Sequence, residues 1–378
     1  MALVLHGTIS DNTGVSVLSR PNTKPIIING DMQIAQRGAS ATTIGNGNSG
    51  YHTCDRWRFS ELGAPTGEFT LSQDTDVPTG YGYKTSLKFD VTTADTAMAA
   101  ADMFRLEYRT EAQDCRVFKY GTSLAETATV AFWVKSNKTG TYSFHIRQND
   151  DLRGLTKTYT IDSADTWERK IINIPADTTG VIENDNGIGL MLYWNLAAGA
   201  DYTSNTQTTY GAVNDNMIAT SQGVNVADST SNEWLITGVQ LEVGTHDVNS
   251  IPDFQFEDAY SALDRCRRYC MVSGNVGGGA AGCVADLGIS ISTTEVETYL
   301  PLRPEMRSSP SMTNTGNLNV STGAAASAAT AIAINSTINN RQHAGIKTTV
   351  GSGLTAHKPY RIEANSDATS RIILDAEL

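Results

Sequence analysis

Charge is scarce in this chain: 18% of its 378 residues are Asp, Glu, Lys or Arg, where about 25% is usual in soluble domains. The 28 basic residues are outnumbered by 40 acidic ones, for a formal net charge of −12. That balance excludes a basic clamp for nucleic acid, and the lack of Lys/Arg clusters argues against docking on anionic membranes. Long apolar runs are lacking too. The longest, residues 324–334, is mostly alanine and far short of the roughly 18 residues a membrane-spanning helix needs. The opening Met1-Ala2-Leu3-Val4-Leu5-His6-Gly7-Thr8 has neither a basic n-region nor a cleavage site, so no secretory leader is expected and folding in a cytoplasm is. Cysteine is sparse and odd in number: Cys54, Cys115, Cys266, Cys270 and Cys283 form no disulfide framework. Cys266 and Cys270 fall four apart in a helical pattern and share a face, where they could hold a metal only with partners from elsewhere, and all five are expected to be buried or idle thiols. What the chain has instead is 46 threonines and 33 glycines, a composition of strands and turns.

Residues 1–25 read as an N-terminal arm. From residue 26 to about 250, short alternating runs separated by Asn, Asp, Gly, Ser and Thr predict a β-sandwich. In 127–135, Val130, Phe132 and Val134 oppose Thr129, Trp133 and Lys135; in 141–148, Tyr142, Phe144 and Ile146 oppose Ser143, His145 and Arg147. The intervening Ser136-Asn137-Lys138-Thr139-Gly140 predicts a hairpin joining these two strands. Further strands are expected at 103–109, 168–174, 188–195 and 235–243. The period changes after Pro252: Phe256, Tyr260, Leu263 and Arg267 predict a helix over 256–270, which connects the domains across 251–271. A Gly-rich link over 273–282 and a smaller β domain, 272–378, complete the chain. The Ala/Ser/Thr/Asn tract at 316–340 is either a flexible loop or packing between identical chains.

The run Ile26-Ile27-Ile28-Asn29-Gly30-Asp31-Met32-Gln33, with Asp55-Arg56-Trp57-Arg58-Phe59 after it, resembles the opening of family 4 and family 9 carbohydrate-binding modules. Thr129-Val130-Ala131-Phe132-Trp133-Val134-Lys135 is similar to their central strand and Trp234-Leu235-Ile236-Thr237-Gly238-Val239-Gln240-Leu241-Glu242 to their closing strand. The resemblance implies a jelly-roll β-sandwich over about 26–250, its first and last strands together. A narrower resemblance joins residues 29–38, 238–244 and 259–269 to bacteriophage tail-fibre and other virion proteins. It implies a non-enzymatic virion component attached to the particle by its arm.

Sugar binding needs aromatic planes for apolar ring faces and fixed polar groups for hydroxyls. Trp133, His145 and Arg147 lie on the non-core faces of the two strands expected to pair. Tyr193 and Asn195 oppose Leu190, Leu192 and Trp194, and Arg105, Glu107 and Arg109 oppose Phe104, Leu106 and Tyr108. All eight could line one concave sheet face, or be buried in packing. Trp57, Trp167 and Trp234 read as core anchors. Glu183-Asn184-Asp185-Asn186-Gly187 could hold a structural calcium but lacks the full EF-hand spacing, and a plain turn explains it. No HExxH, nucleophile elbow or Walker loop occurs, so neither a catalytic residue nor a cofactor is expected.

Together these features predict a phage virion fibre or spike protein, assembled in the host cytoplasm, trimeric, and attaching to host-surface glycan. Its other partners are virion proteins that hold the arm; neither nucleic acid nor membrane insertion is expected. The alternatives are a head or tail scaffold without glycan binding and, third, a polysaccharide depolymerase, which would need two carboxylates about 5 to 9.5 Å apart in a cleft.

Overall fold

The computed structural model describes residues 24–274 and 282–378. The arm expected over 1–25 and most of the Gly-rich link lie outside the described residues. The chain divides into two units, one running to Asp258 and including Leu378, the other from Ala259 to Glu377. The connecting helix thus goes with the second unit.

The first unit holds β1 (Ser40–Gly45), β2 (Gly50–Tyr51), β3 (Trp57–Leu62), β4 (Glu68–Asp74), β5 (Ser86–Thr93), β6 (Met103–Glu111) and β7 (Ala128–Ser136). Then come β8 (Gly140–Gln148), β9 (Arg153–Ile161), β10 (Glu168–Ile174), β11 (Ile188–Ala198), β12 (Gly211–Ala212) and β13 (Glu233–Val243). They form a six-stranded back sheet, β1-β4-β5-β13-β7-β10, and a seven-stranded front sheet, β12-β9-β8-β11-β6-β3-β2. The chain changes sheet at most connections, as in a jelly-roll sandwich.

The alternation of apolar residues explains the layers: Val130, Phe132 and Val134 of β7 and Leu190, Leu192 and Trp194 of β11 are all buried in one core. Phe59 and Phe104 from the front sheet meet Phe69 from the back, with Phe69–Phe104 edge-on at 5.2 Å and Phe59–Phe69 at 5.7 Å. Trp194 packs edge-on against Phe132 at 5.7 Å and Phe144 at 5.0 Å. Each such side chain contributes about 1.5–3 kcal/mol of burial, and each ring pair adds about 0.5–1.5 kcal/mol.

The structure corrects two expectations in this unit. β7 and β8 do not form a hairpin: β7 pairs with β13 and β10, whereas β8 pairs with β9 and β11. Their apolar faces look at each other across the sandwich, and residues 136–140 cross between sheets. That crossing is pinned to β13: Ser136 Oγ donates to the Glu233 carbonyl at 2.5 Å, and Asn137 Oδ1 accepts from the Glu233 amide at 3.0 Å. Residues 26–33, whose run resembles the first strand of carbohydrate-binding modules, form a turn and not a strand. Asn29, at φ 59°, accepts from the Ile34 amide and donates to the carbonyls of Ile34 and Asp55, each at 2.9 Å. Gly30 lies so close to β13 that a Cβ would collide with the Val239 carbonyl oxygen, and the Val239 amide donates to the Gly30 carbonyl at 2.9 Å. The Asn-Gly motif is therefore a corner clamped on the last strand of the sandwich.

The second unit begins with α1 (Ala259–Arg267), shorter than the expected 256–270. Cys266 is in that helix but Cys270 starts β14 (Cys270–Gly274), so the two do not share a helix face. Cys54, Cys115, Cys266 and Cys270 are buried, and Cys283 is exposed. After β14 come β15 (Cys283–Ser290), β16 (Glu295–Pro301), β17 (Ser311–Thr315), β18 (Leu318–Ser321), β19 (Ala326–Ile334), β20 (His343–Val350), β21 (Pro359–Ala364) and β22 (Arg371–Asp375). β14-β22-β17 make a three-stranded sheet, and β15-β16-β20-β19-β18-β21 close a barrel. Leu300, Leu318, Ile346 and Ile362 are buried in this unit's own core. The tract at 316–340 is thus not a plain loop: it supplies β18 and β19, barrel strands whose pairing overrides a weak β-propensity.

Candidate functional site

The outer face of the front sheet carries seven of the eight expected residues. Register sets them in rows: Arg147, Met191 and Arg109 lie side by side, and in the next row Thr156, His145, Tyr193, Glu107 and Arg58. Asn195 sits beside Arg105. Sequence reasoning therefore places these residues correctly on one face. It does not foresee what covers them.

Residues 199–226, between β11 and β13, lie over much of this face. Asn195 Nδ2 donates to the Ile218 carbonyl at 2.9 Å and to Ser143 Oγ at 2.8 Å. The Ser143 amide donates to Gln222 Oε1 at 2.6 Å. Tyr193 packs with Tyr202, Ile218 and Ala219 in a small apolar cluster. Thr156 Oγ1 donates to the Met217 carbonyl at 2.5 Å and stands 2.9 Å from His145 Nδ1. Because the Thr156 proton goes to Met217, the His145 Nδ1–H donates to Thr156, which assigns the tautomer. His145 is fully buried and stacks on Tyr193 at 5.5 Å. Burial, with Arg105 and Arg147 nearby, lowers its pKa to about 3, so the ring is neutral at physiological pH.

Glu107 is likewise buried and ringed by guanidinium groups: Arg105 at 2.7 Å, Arg109 at 2.8 Å and Arg58 at 3.1 Å. Burial alone would raise its carboxyl, but the three cations outweigh it and hold the pKa at about 2. Arg105 also lies over the Tyr193 ring at 4.1 Å. His145, Tyr193, Asn195, Arg105 and Glu107 are buried, and Arg109 and Arg147 half-buried. As an open glycan groove, this set is corrected: most of its polar groups are partnered by the chain itself.

Trp133 is the eighth residue, and it is on the other sheet. It faces outward from β7, opposite Arg169 of β10 and Thr237 of β13. The loop of residues 75–85 between β4 and β5 folds over this back face. Thr237 Oγ1 donates to the Thr85 carbonyl at 2.8 Å, Thr85 Oγ1 to the Asp31 carbonyl at 2.9 Å, and Ser86 Oγ to the Asp76 carbonyl at 2.7 Å. Gly80 and Gly82 take φ of 89° and 85°, the left-handed region glycine favours, and present Tyr81 between them. Tyr81 is 55% exposed, and its ring lies 4.4 Å from that of Trp133, itself 8% exposed. Beside them Asp76 accepts from Lys135 Nζ at 2.6 Å and from Trp167 Nε1 at 2.8 Å. Burial raises the Asp76 carboxyl and those two hydrogen bonds more than offset it, so the group stays below the ordinary aspartate range. Trp167 is half-buried at this site, not the core anchor expected; Trp57 and Trp234 are in the core.

Sequence reasoning missed Tyr81 and Asp76 and assigned Trp167 to the core. The available signal was Gly80-Tyr81-Gly82-Tyr83, an aromatic held between turn residues. The acidic loop at 183–187 uses its carboxylate locally, Asp185 Oδ1 accepting from the Gly187 amide at 2.7 Å. Among the described residues no group of His, Cys, Asp and Glu is arranged to hold a metal, and no helix is long and apolar enough to cross a membrane.

No family model matches the chain, and no curated protein does. Among solved structures it is similar to the enzymatically active domain of bacteriophage CBA120 tailspike protein 4, with TM-score 0.30 and 12% identity over 58% of this chain and 21% of that one. The chain thus spans about a fifth of the length of that domain. A family 4 carbohydrate-binding module gives TM-score 0.28 and 9% identity over 57% of this chain and 97% of its own. A family 61 module in complex with β-1,4-galactotriose gives 0.29 and 9% over 58% of this chain and 99% of its own. Likeness at this level speaks to neither ligand nor reaction.

Proposed function

We propose that this protein is a non-enzymatic attachment protein that binds host-surface glycan, acting as a trimeric fibre or spike component of a phage virion. The observation that carries the glycan reading is the exposed Tyr81 ring resting on Trp133 beside an Asp76 carboxylate held in place by Lys135 and Trp167. An aromatic plane with a fixed acceptor next to it is what a sugar requires. The phage assignment rests on the sequence resemblance at 29–38, 238–244 and 259–269, and trimerism on the avidity that several weak sites gain together. A glycan-array and whole-cell binding assay, with mass from light scattering, tests this reading: saturable binding by a trimer is expected, whereas turnover of polysaccharide would establish a depolymerase.

A second reading, a virion scaffold that binds no sugar, is favoured by the front face, which residues 199–226 fill. A stable oligomer that binds neither cells nor any glycan would establish it.

A further inference from the structure

If the back face binds glycan, as proposed above, its geometry also selects the class of sugar. Trp133 and Lys135 are two residues apart on one face of β7, about 7 Å along the strand. The Tyr81 ring lies against the first and the Asp76 carboxylate is bonded to the second, so plane and acceptor are neighbours on the back face. Each Asp76 oxygen takes one hydrogen bond from the protein, Oδ2 from Lys135 and Oδ1 from Trp167. An ionised carboxylate has about four acceptor sites, which leaves each oxygen able to accept another proton. The side chain of Asp76 is 40% exposed, so those sites are open to a ligand. Of the cations on this face, Lys135 is already paired with Asp76, while Arg169 stands opposite Trp133 in the register.

We infer that Tyr81, Trp133 and Asp76 form a subsite for a neutral pyranose with two adjacent hydroxyls, its apolar face on the Tyr81 ring and its diol donating to the Asp76 carboxylate. A uronate or sialate would bring its negative charge to that same carboxylate, which the site then disfavours. Lys135 and Trp167 act as positioning residues that hold the carboxylate at one angle.

The test uses the full chain against an array of neutral oligosaccharides and of uronate- or sialate-bearing ones, followed by titration of the best ligand. Neutral glycans should bind, with an affinity unchanged between about 50 and 500 mM salt, as an uncharged ligand requires. Tyr81→Ala and Asp76→Asn should each weaken binding by about tenfold or more, with far-UV circular dichroism and melting temperature held. Trp133→Phe, which keeps a ring beneath Tyr81, should weaken it less. Neutral binding that survives both Tyr81→Ala and Asp76→Asn would overturn this subsite while leaving the attachment reading intact. Binding restricted to acidic glycans, falling with salt and lost in Tyr81→Ala, would overturn the neutral class. No binding to any glycan by the unmodified protein would overturn the attachment reading itself, and the subsite with it.

Discussion

The two outer faces of the sandwich handle polar side chains in opposite ways. On the front face His145 Nδ1, Asn195 Nδ2 and the Glu107 carboxylate are buried and partnered by the chain's own 199–226 segment, by neighbouring strands or by arginines, while His145 Nε2 and Asn195 Oδ1 are buried without a partner. On the back face the 75–85 loop presents Tyr81 outward and leaves Asp76 part-open. A row of sugar-friendly residue types on one face of a sheet is therefore poor evidence for a site, because another segment of the chain can cover that face and supply hydrogen bonds to it. Buried polar groups are costly unless bonded, and the 199–226 segment supplies the missing partners at Met217, Ile218 and Gln222.

The largest effect expected is at the centre of the front face. Glu107→Ala leaves Arg105, Arg109 and Arg58 facing one another without their shared anion, and should cost about 3–5 kcal/mol in chemical denaturation. A loss under about 1 kcal/mol would mean the cluster is solvated and the face is open after all.

Two carboxylates, one on each side, sharpen the contrast through pH. Glu107 is held at about 2, below its ordinary 4.5, so its contribution is present above 4.5 and lost as pH falls towards 2. Asp31, which lies near Tyr83 on the back-face side, is pushed up to about 6 from 3.8 by burial, with Glu257 adding to it. Its contribution is present below 3.8 and lost as pH rises through 6, a change of at most about 3 kcal/mol. Asp31→Asn should flatten the decline of stability between about pH 4 and 7, and Glu107→Gln the decline on the acid side. An Asp31→Asn protein whose melting temperature still falls by the parent's amount over that range would show that Asp31 is not the group responsible.

Strand positions were legible in the sequence because alternation is a local property: β7, β8, β10, β11 and β13 fall where their apolar residues recur at period two. Partners were not. Alternation tells Phe132 and Phe144 to point inward but not that they approach from opposite sheets, so Ser136–Gly140 reads as a hairpin when it is a crossing. The Asn29-Gly30 motif signals a sharp turn, yet the reason for Gly30 is the carbonyl of Val239, at the far end of the sandwich sequence. The front-face residues could be assigned to one face, whereas their burial depends on a long, irregular segment with no periodic signature. Tyr81 escaped because a loop residue gains its meaning from the strand it folds over, through Trp133 in this case.

The smallest stability effect is expected where the binding effect is large. Tyr81 is more exposed than buried, and truncating it removes a ring contact with Trp133 but opens no cavity in the core. Tyr81→Ala should therefore cost no more than about 1 kcal/mol of stability. Tyr193→Ala on the front face removes a buried ring from the cluster with Ile218 and Ala219 and should cost about 3 kcal/mol or more. If the two faces are as different as their burial says, glycan affinity should follow the cheap substitution and not the expensive one. A Tyr193→Ala protein that stays folded but loses glycan binding, while Tyr81→Ala retains it, would return the site to the front face and require the 199–226 segment to move aside for its ligand.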